Sequence, residues 1–222
     1  MSAVLVEPGS QEWLDARAGC LTASRIADAF GKLKSGAWAQ SRYDYAIELV
    51  AERMTGRAAD HFVSRDMLRG LELEPDAIAA YEWEQDCKVN PVGYVMHPTI
   101  KWAGATPDGG LVDDDGLLEI KCPRSTTFCA IRLIIEHEQP MKHASLNTDD
   151  GYMAQTMWQL ACTGRKWCDL AYYDPEMPQG LQLYVRRIER DDKIIKAMEE
   201  QARAFLDEVQ DMCNRLAGRV DQ

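Results

Sequence analysis

Hydrophobic positions along this chain repeat with a helical period at both ends and with an extended period in the middle. Residues 11–17 carry Trp13 and Leu14 and predict a short helix, and Thr22-Ala23-Ser24 offers an N-cap ahead of Ile26, Ala27 and Phe30. Residues 41–55 space Tyr45, Leu49 and Met54 among good helix formers, and Gly56 stops the run. Residues 70–83 predict a second long helix, with Leu73, Ile78, Ala79 and Tyr81 spaced for a partly buried face. The period then changes. Residues 89–96, 102–106, 110–112 and 117–121 are short apolar runs separated by Gly, Pro or Asp clusters, and they predict successive antiparallel strands. Beyond Pro123 the helical period returns over residues 152–163, closed by Gly164. Two more strands are predicted at 167–173 and 181–188, joined by a turn through Asp174-Pro175-Glu176-Met177-Pro178. Residues 191–217 place Ile195, Met198, Ala202, Phe205, Val209, Met212 and Leu216 three and four apart, a long amphipathic helix ended by Gly218. This order predicts an α/β domain in which helices flank a central mixed sheet.

Composition narrows the class. With 222 residues the chain suits one domain spanning 1–222, large enough to fold on its own core without disulfides or a structural metal. Hydrophobic residues at 46% and charged residues at 27% are ordinary for a globular protein and exclude wholesale disorder. No apolar run reaches the ~18–20 residues that cross a bilayer, and Met1–Pro8 has neither the basic stretch nor the apolar core of a secretory signal. Seven cysteines without a C-x-x-C pair predict reduced thiols in a cytosol-like compartment and argue against a zinc ribbon. The formal net charge of −11 argues mildly against a nucleic-acid coat or a membrane-surface protein. The charge is uneven: residues 17–70 carry nine basic and six acidic side chains, and residues 71–118 carry two and ten.

The stretch that carries chemistry is Pro107-Asp108, then ten residues, then Glu119-Ile120-Lys121. If residues 110–112 and 117–121 form a hairpin, Asp108 sits near the start of one arm and Glu119 inside the other. The two-residue period of a strand puts Glu119 and Lys121 on one face and Ile120 on the other. Two carboxylates and an ammonium then meet at one point. Hard oxygen donors in that number suit Mg²⁺, with Mn²⁺ as a substitute, ions that keep several waters and complete their shell with phosphate; the Ile120 carbonyl adds one more oxygen. Glu74, one turn along from Gly70, can bring a further carboxylate. The same spacing also suits a polar turn followed by a strand with a solvated Glu/Lys pair, so the motif alone leaves both readings open. Asp113-Asp114-Asp115-Gly116 reads as a solvated hairpin turn rather than a metal site. His61, His97, His137 and His143 show no ligand spacing, and there is no Gly-rich phosphate loop. Trp13, Trp38, Trp83 and Trp102 are expected in the core.

Taken together, Ala105-Thr106-Pro107-Asp108-Gly109-Gly110-Leu111 and Leu118-Glu119-Ile120-Lys121-Cys122-Pro123 resemble the phage lambda exonuclease, or YqaJ-type viral recombinase, family of the restriction-endonuclease-like PD-(D/E)xK superfamily. Further patches agree in order: Trp13 with Arg17-Ala18-Gly19, Leu21-Thr22-Ala23-Ser24, Gly70 with Glu74, Tyr152-Met153-Ala154-Gln155, Tyr172-Tyr173-Asp174-Pro175 and Ile188-Glu189-Arg190-Asp191. The resemblance spans about residues 12–192. It implies a restriction-endonuclease-like core with Asp108, Glu119 and the Ile120 carbonyl as metal ligands, Lys121 as catalytic lysine, Glu74 as the upstream helix glutamate and Gln155 as a supporting glutamine. It also implies that Arg17 and Ser24 hold the 5′-terminal phosphate of DNA, with Lys34 where the family has a second arginine. Lysine is a point charge without arginine's planar fork, so this departure bears on how sharply a 5′-phosphate is required. Met67 falls where the family places an apolar wedge at the duplex end, although by its own chemistry it suits a core methionine equally.

The function implied is a Mg²⁺-dependent exonuclease on double-stranded DNA ends. It would degrade one strand 5′→3′ to 5′-mononucleotides and leave a 3′ single-stranded tail. The resemblance further implies a homotrimeric ring with a basic lining inside an acidic exterior, a single-strand annealing protein as partner, and phage or prophage recombination in a bacterial cytoplasm. Two alternatives stand beside it: a structure- or site-specific endonuclease of the same superfamily, and a DNA-end-binding protein without catalysis. The second is expected to lack one of Asp108, Glu119 or Lys121, and all three are present. A Cas4-like iron–sulfur nuclease is disfavoured, because four suitably spaced cysteines are missing.

Overall fold

A computed structural model describes residues 3–4, 10–59, 64–137 and 147–218. In chain order the elements are β1 (Ala3–Val4), α1 (Gln11–Arg17), β2 (Leu21–Thr22), α2 (Ile26–Phe30), α3 (Gln40–Thr55) and α4 (Arg65–Gln85). Five strands follow: β3 (Val89–Asn90), β4 (Tyr94–Met96), β5 (Ala103–Ala105), β6 (Gly110–Val112) and β7 (Gly116–Lys121). The chain ends with α5 (Ser125–His137), α6 (Asn147–Thr163), β8 (Trp167–Tyr173), β9 (Leu183–Glu189) and α7 (Asp192–Ala217).

The strands form two sheets. A five-stranded mixed sheet runs β3-β6-β7-β8-β9, and a four-stranded sheet runs β1-β4-β5-β2. In the larger sheet β7 pairs antiparallel with β6 and parallel with β8, with Glu119 opposite Leu170 and Lys121 opposite Tyr172. A parallel neighbour needs a crossover, and α5 and α6 supply it. On one face of β7 and β8, Leu117, Cys168, Leu170 and Tyr172 pack with Met157, Trp158 and Leu160 of α6. On the other face, Leu118, Ile120, Ala171 and Tyr173 pack with Ala77 and Tyr81 of α4. Both central strands are therefore covered twice, which is why they read as continuous apolar runs rather than as an alternation. Tyr81 also donates to the buried Asp169 Oδ2 at 2.7 Å, and Arg187 donates to both oxygens of that carboxylate at 2.8 Å. These bonds fix α4 across the sheet.

The long helices have legible ends. Ser64 accepts from Met67 N at 3.2 Å to cap α4, and Asp191 accepts from Lys193 N and Ile194 N at 2.8 and 3.1 Å to cap α7. Gly56 closes α3 in the left-handed region at φ 67°. Four expectations need correction. The helix predicted over 152–163 begins five residues earlier, at Asn147. The helix predicted from Gly70 begins five residues earlier, because Ser64 is its cap, so Met67 and Gly70 are helical and Pro75 lies inside. The strand predicted over 89–96 is broken at Pro91-Val92-Gly93, and its halves, β3 and β4, join different sheets. β9 begins two residues later than predicted, after the turn. Among the described residues no helix is long and apolar enough to cross a membrane.

Candidate active site

Asp108 stands in the loop between β5 and β6, and Glu119 and Lys121 stand on β7. The loop comes close because two glycines follow Asp108. A Cβ on Gly109 would overlap the Leu118 side chain, and Gly110 has φ 109°, which favours glycine. Gly109 N donates to Leu118 O at 3.1 Å, which sets the loop against the strand one residue before Glu119. Lys121 Nζ lies 2.5 Å from Glu119 Oε1 and 3.6 Å from Asp108 Oδ2, and Asp108 N approaches Glu119 Oε2 at 3.4 Å. The three side chains expected to converge are thus brought together. Their exposure differs sharply: Glu119 is 0% exposed and Lys121 18%, whereas Asp108 keeps 42% of its side chain open to the cleft. Ile120, between them in sequence, sends its side chain to the opposite, α4-covered face.

Two amides from α6 complete the surroundings of Glu119. Gln155 Nε2 donates to Oε1 at 2.5 Å and Gln159 Nε2 donates to Oε2 at 2.6 Å. Gln155 was expected near the site; Gln159 was missed. Its signal was present in the sequence, since residues four apart share a helix face and a second glutamine on a buried helix needs a polar partner. Glu74, half-buried on α4, is near enough for its carboxyl to be raised by burial and by Glu119, with Lys121 opposing. Asp108 is held well above the ordinary carboxylate range by the protein packed behind it and by Glu119, against the pull of Lys121. Burial works against the charge on Lys121, yet Glu119 and Asp108 overcome it and keep the ammonium above its usual value. The Lys121 ammonium also lies 5.0 Å from the centre of the Tyr152 ring.

Among the described residues no three His, Cys, Asp or Glu side chains stand close enough to close around an ion by themselves. Two converging carboxylates, one open to the cleft, nevertheless fit a hard cation that keeps part of its water shell, and they disfavour a soft metal. The seven cysteines are all free thiols, and Cys122, beside Lys121, is half-buried. His97 is an interior polar contact: its Nδ1 accepts from Thr99 N and Ile100 N at 3.3 and 3.2 Å, and its ring stacks on Trp158. His61 and His143 lie outside the described residues.

A cavity of about 500 Å³ opens beside α1, and Arg17, Ser24, Arg25, Tyr45 and Met67 are among its walls. The Arg17 guanidinium stacks 4.1 Å from the centre of the Trp13 ring, and Trp13 Nε1 donates to Thr106 Oγ1 at 3.1 Å. That bond joins the cavity wall to the loop carrying Asp108. Met67 is 52% exposed, so it is not a core methionine. Lys34 lies exposed on the segment between α2 and α3 and does not line the cavity, whereas Arg25, stacked on Tyr45 and paired with Asp28 and Glu48, does. The tryptophans also depart from expectation. Trp83 is 89% exposed on the outer side of α4. Trp13, Trp38 and Trp102 are partly buried beneath Arg17, Arg42 and Arg53, a packing that accepts a half-open ring.

Known proteins resemble this chain in sequence and in fold. Residues 12–166 match the YqaJ-like viral recombinase domain. The chain is similar to the solved alkaline exonuclease LHK-Exo from Laribacter hongkongensis at 40% identity, covering 96% of this chain and 98% of that one with a TM-score of 0.81. The likeness is the same to that enzyme in complex with dAMP. A phage-related exonuclease from Haemophilus somnus 129PT, 14% identical over 89% of this chain and 96% of that one, shares the fold with a TM-score of 0.66. No curated protein matches the sequence. The mixed sheet flanked by helices is the restriction-endonuclease-like core that the sequence implied. With more than half of its length matched, this chain belongs to the YqaJ-like viral recombinase family.

Proposed function

We propose that the protein is a Mg²⁺-dependent exonuclease that enters at the end of linear duplex DNA. It removes 5′-mononucleotides from one strand in the 5′→3′ direction and leaves a 3′ single-stranded tail. The observation that carries this reading is the meeting of Asp108, Glu119 and Lys121 at the end of β7, with a guanidinium-lined cavity tied to the same loop through Trp13 and Thr106. The likeness to an alkaline exonuclease, and to that enzyme with dAMP, supports a nucleotide-releasing chemistry.

Asp108, open to the cleft, and Glu119, with the Ile120 carbonyl, would hold the cation. When bound, such an ion polarises the phosphodiester and acidifies an attacking water. Lys121 is kept charged by its two carboxylates, so it acts as a hydrogen-bond donor to water or to a phosphoryl oxygen and not as the base. Gln155 keeps the Glu119 carboxylate from rotating, and Glu74 adds negative charge that favours a cation over a lone ammonium. In-line attack inverts the configuration at phosphorus. Arg17, with Ser24 beside it, meets the terminal 5′-phosphate in the cavity, and Met67 faces the duplex end from the same wall. A homotrimeric ring, threaded by the duplex, and a single-strand annealing protein that takes over the tail complete the reading. Its setting is phage recombination in the bacterial cytoplasm.

The test is a linear duplex labelled separately at each 5′ and 3′ end, incubated with and without Mg²⁺. Labelled mononucleotide from 5′ ends only, and only with Mg²⁺, is expected, while Asp108→Ala is silent. Internal cuts on a closed circle would favour the endonuclease, and undiminished cleavage in chelator would refute the metal reading. Light scattering in solution checks the trimer.

A further inference from the structure

The two oxygens of Glu119 look toward different surroundings. Oε1 accepts from Lys121, whose side chain keeps 18% exposure, and from the buried Gln155. Oε2 accepts from Gln159 at 2.6 Å, and its other donor, Asp108 N, is distant at 3.4 Å. Gln159 is 0% exposed. We infer that Gln159 is a positioning residue: it anchors the Glu119 carboxylate at Oε2 from the protein interior and thereby fixes the plane in which that carboxylate meets the cation. This inference rests on the metal reading above and deepens it.

Three observations carry it. First, the Gln159 amide oxygen has no hydrogen-bond partner among the described residues and is buried. A buried amide normally satisfies both ends, and leaving one orphaned is destabilising. The side chain accepts that cost to place its donor on Glu119. Second, Gln155 and Gln159 are four apart on α6, so one helix face delivers two amide donors, one to each oxygen of a single carboxylate. The carboxylate plane is then defined by two points rather than one. Third, the donor is neutral. A lysine or arginine at 159 would compete with the cation for the same charge, whereas an amide orients Glu119 and leaves its charge available. Groups that orient a metal-binding side chain typically change metal affinity 10–100-fold when removed.

The test uses the full chain with Gln159→Met, close in length but without a donor, and Gln159→Asn, which keeps the donor one carbon short. Mn²⁺ binding is measured by calorimetry without DNA, alongside thermal melting, the Mg²⁺ concentration for half-maximal turnover, and kcat and KM on duplex DNA. Gln159→Met is expected to weaken Mn²⁺ binding and to raise the Mg²⁺ midpoint, each about tenfold. KM for DNA at saturating metal should stay within about twofold, because Gln159 has no route to DNA, and Gln159→Asn should fall between. If Gln159→Met melts lower yet binds Mn²⁺ and responds to Mg²⁺ as the parent does, Gln159 is only a core residue. Should Gln159→Met not fold, wild-type Mn²⁺ affinity in Gln159→Asn overturns the inference equally. Failure of the parent protein to bind Mn²⁺ would be seen before any variant is made, and it would overturn the metal reading itself.

Discussion

Glu119→Gln changes one charge and almost no volume, which makes it a sharp probe of the site. In the parent, Lys121 Nζ lies 2.5 Å from Glu119 Oε1 and 3.6 Å from Asp108 Oδ2, with 18% of its side chain exposed. Removing one partner of a buried ion pair costs about 3–5 kcal/mol because the other charge is stranded. Here the lysine keeps Asp108 and some solvent, and Asp108 and Glu74 are relieved of the repulsion from Glu119, so about half of that, ~2 kcal/mol, is expected. The hydrogen bonds add little. The new amide can keep its oxygen toward Lys121 and Gln155 and turn its NH₂ toward Gln159. Gln159 can then rotate its own amide to accept, since its Oε1 has no partner to lose. Only the long Asp108 N–H contact is lost.

A cost of ~2 kcal/mol lowers the melting temperature of a chain this long by about 4–8 °C. The chemical penalty is larger: weakening the hold on the cation that would offset charge at the reacting phosphate is expected to cost about 10²–10³ in turnover, as losing one charge-stabilising group typically does. Calorimetric melting in chelator and single-turnover hydrolysis of a 5′-labelled duplex read the two effects separately. A lowered melting temperature with normal turnover would make Glu119 a structural partner of Lys121 and nothing more. An unchanged melting temperature would mean that the ammonium does not depend on Glu119, contrary to the geometry.

Other perturbations test neighbouring parts of the argument. A carboxyl whose folded pKa is raised contributes stability in acid that is lost as pH rises through the folded value, and Asp108 is such a group. Asp108→Asn should therefore melt above the parent at pH 8 in chelator, with the gap closing toward pH 4, while activity is lost; a lower melting point at pH 8 would contradict the crowding of carboxylates. Gly109→Ala puts a methyl into the Leu118 side chain and should cost about 1–3 kcal/mol in melting experiments, with reduced turnover because the Asp108 loop must move. Arg69→Ala strands Asp174, which is 0% exposed and 2.8 Å from Arg69 Nη2, and should cost about 3 kcal/mol; a second change, Asp174→Asn, should recover part of it. Arg17→Ala should shrink the preference for 5′-phosphorylated over 5′-hydroxyl ends, and an unaltered ratio would place the phosphate elsewhere.

Much of this architecture was legible without coordinates, for reasons that differ by element. α7 was readable because a three-and-four spacing over seven apolar residues has one solution, and Asp191 and Gly218 mark its ends. α4 was readable only in part. Its true start is the Ser64 cap, and the polar, Pro-containing first turns conceal a helix whose inner face touches the sheet only from Leu73 onward. The division of residues 89–96 between two sheets was not legible, since alternation reports which side chains are buried and not which strand will be the neighbour. In the site, strand parity placed Glu119 and Lys121 together. It did not reveal that this face is covered by α6, because a partner thirty-six residues away leaves no local pattern.

That coverage changes what the motif means. An exposed Glu/Lys pair on a strand would be worth little to folding and would need nothing behind it. Here Glu119 sits on a strand buried on both faces, where an unpaired carboxylate is costly, and four donors from three parts of the chain neutralise that cost. Asp108 is the opposite case. It opens to the cleft on one side, but the protein packed behind it desolvates its charge, Glu119 and Glu74 repel it, and Lys121 draws it. One carboxylate is thus locked by the fold and the other is left destabilised at the surface, an arrangement that a cation entering from the cleft would relieve at Asp108 without disturbing the core behind Glu119. The same asymmetry explains why Asp108→Asn and Glu119→Gln, each removing one negative charge from one site, are expected to move the melting temperature in opposite directions.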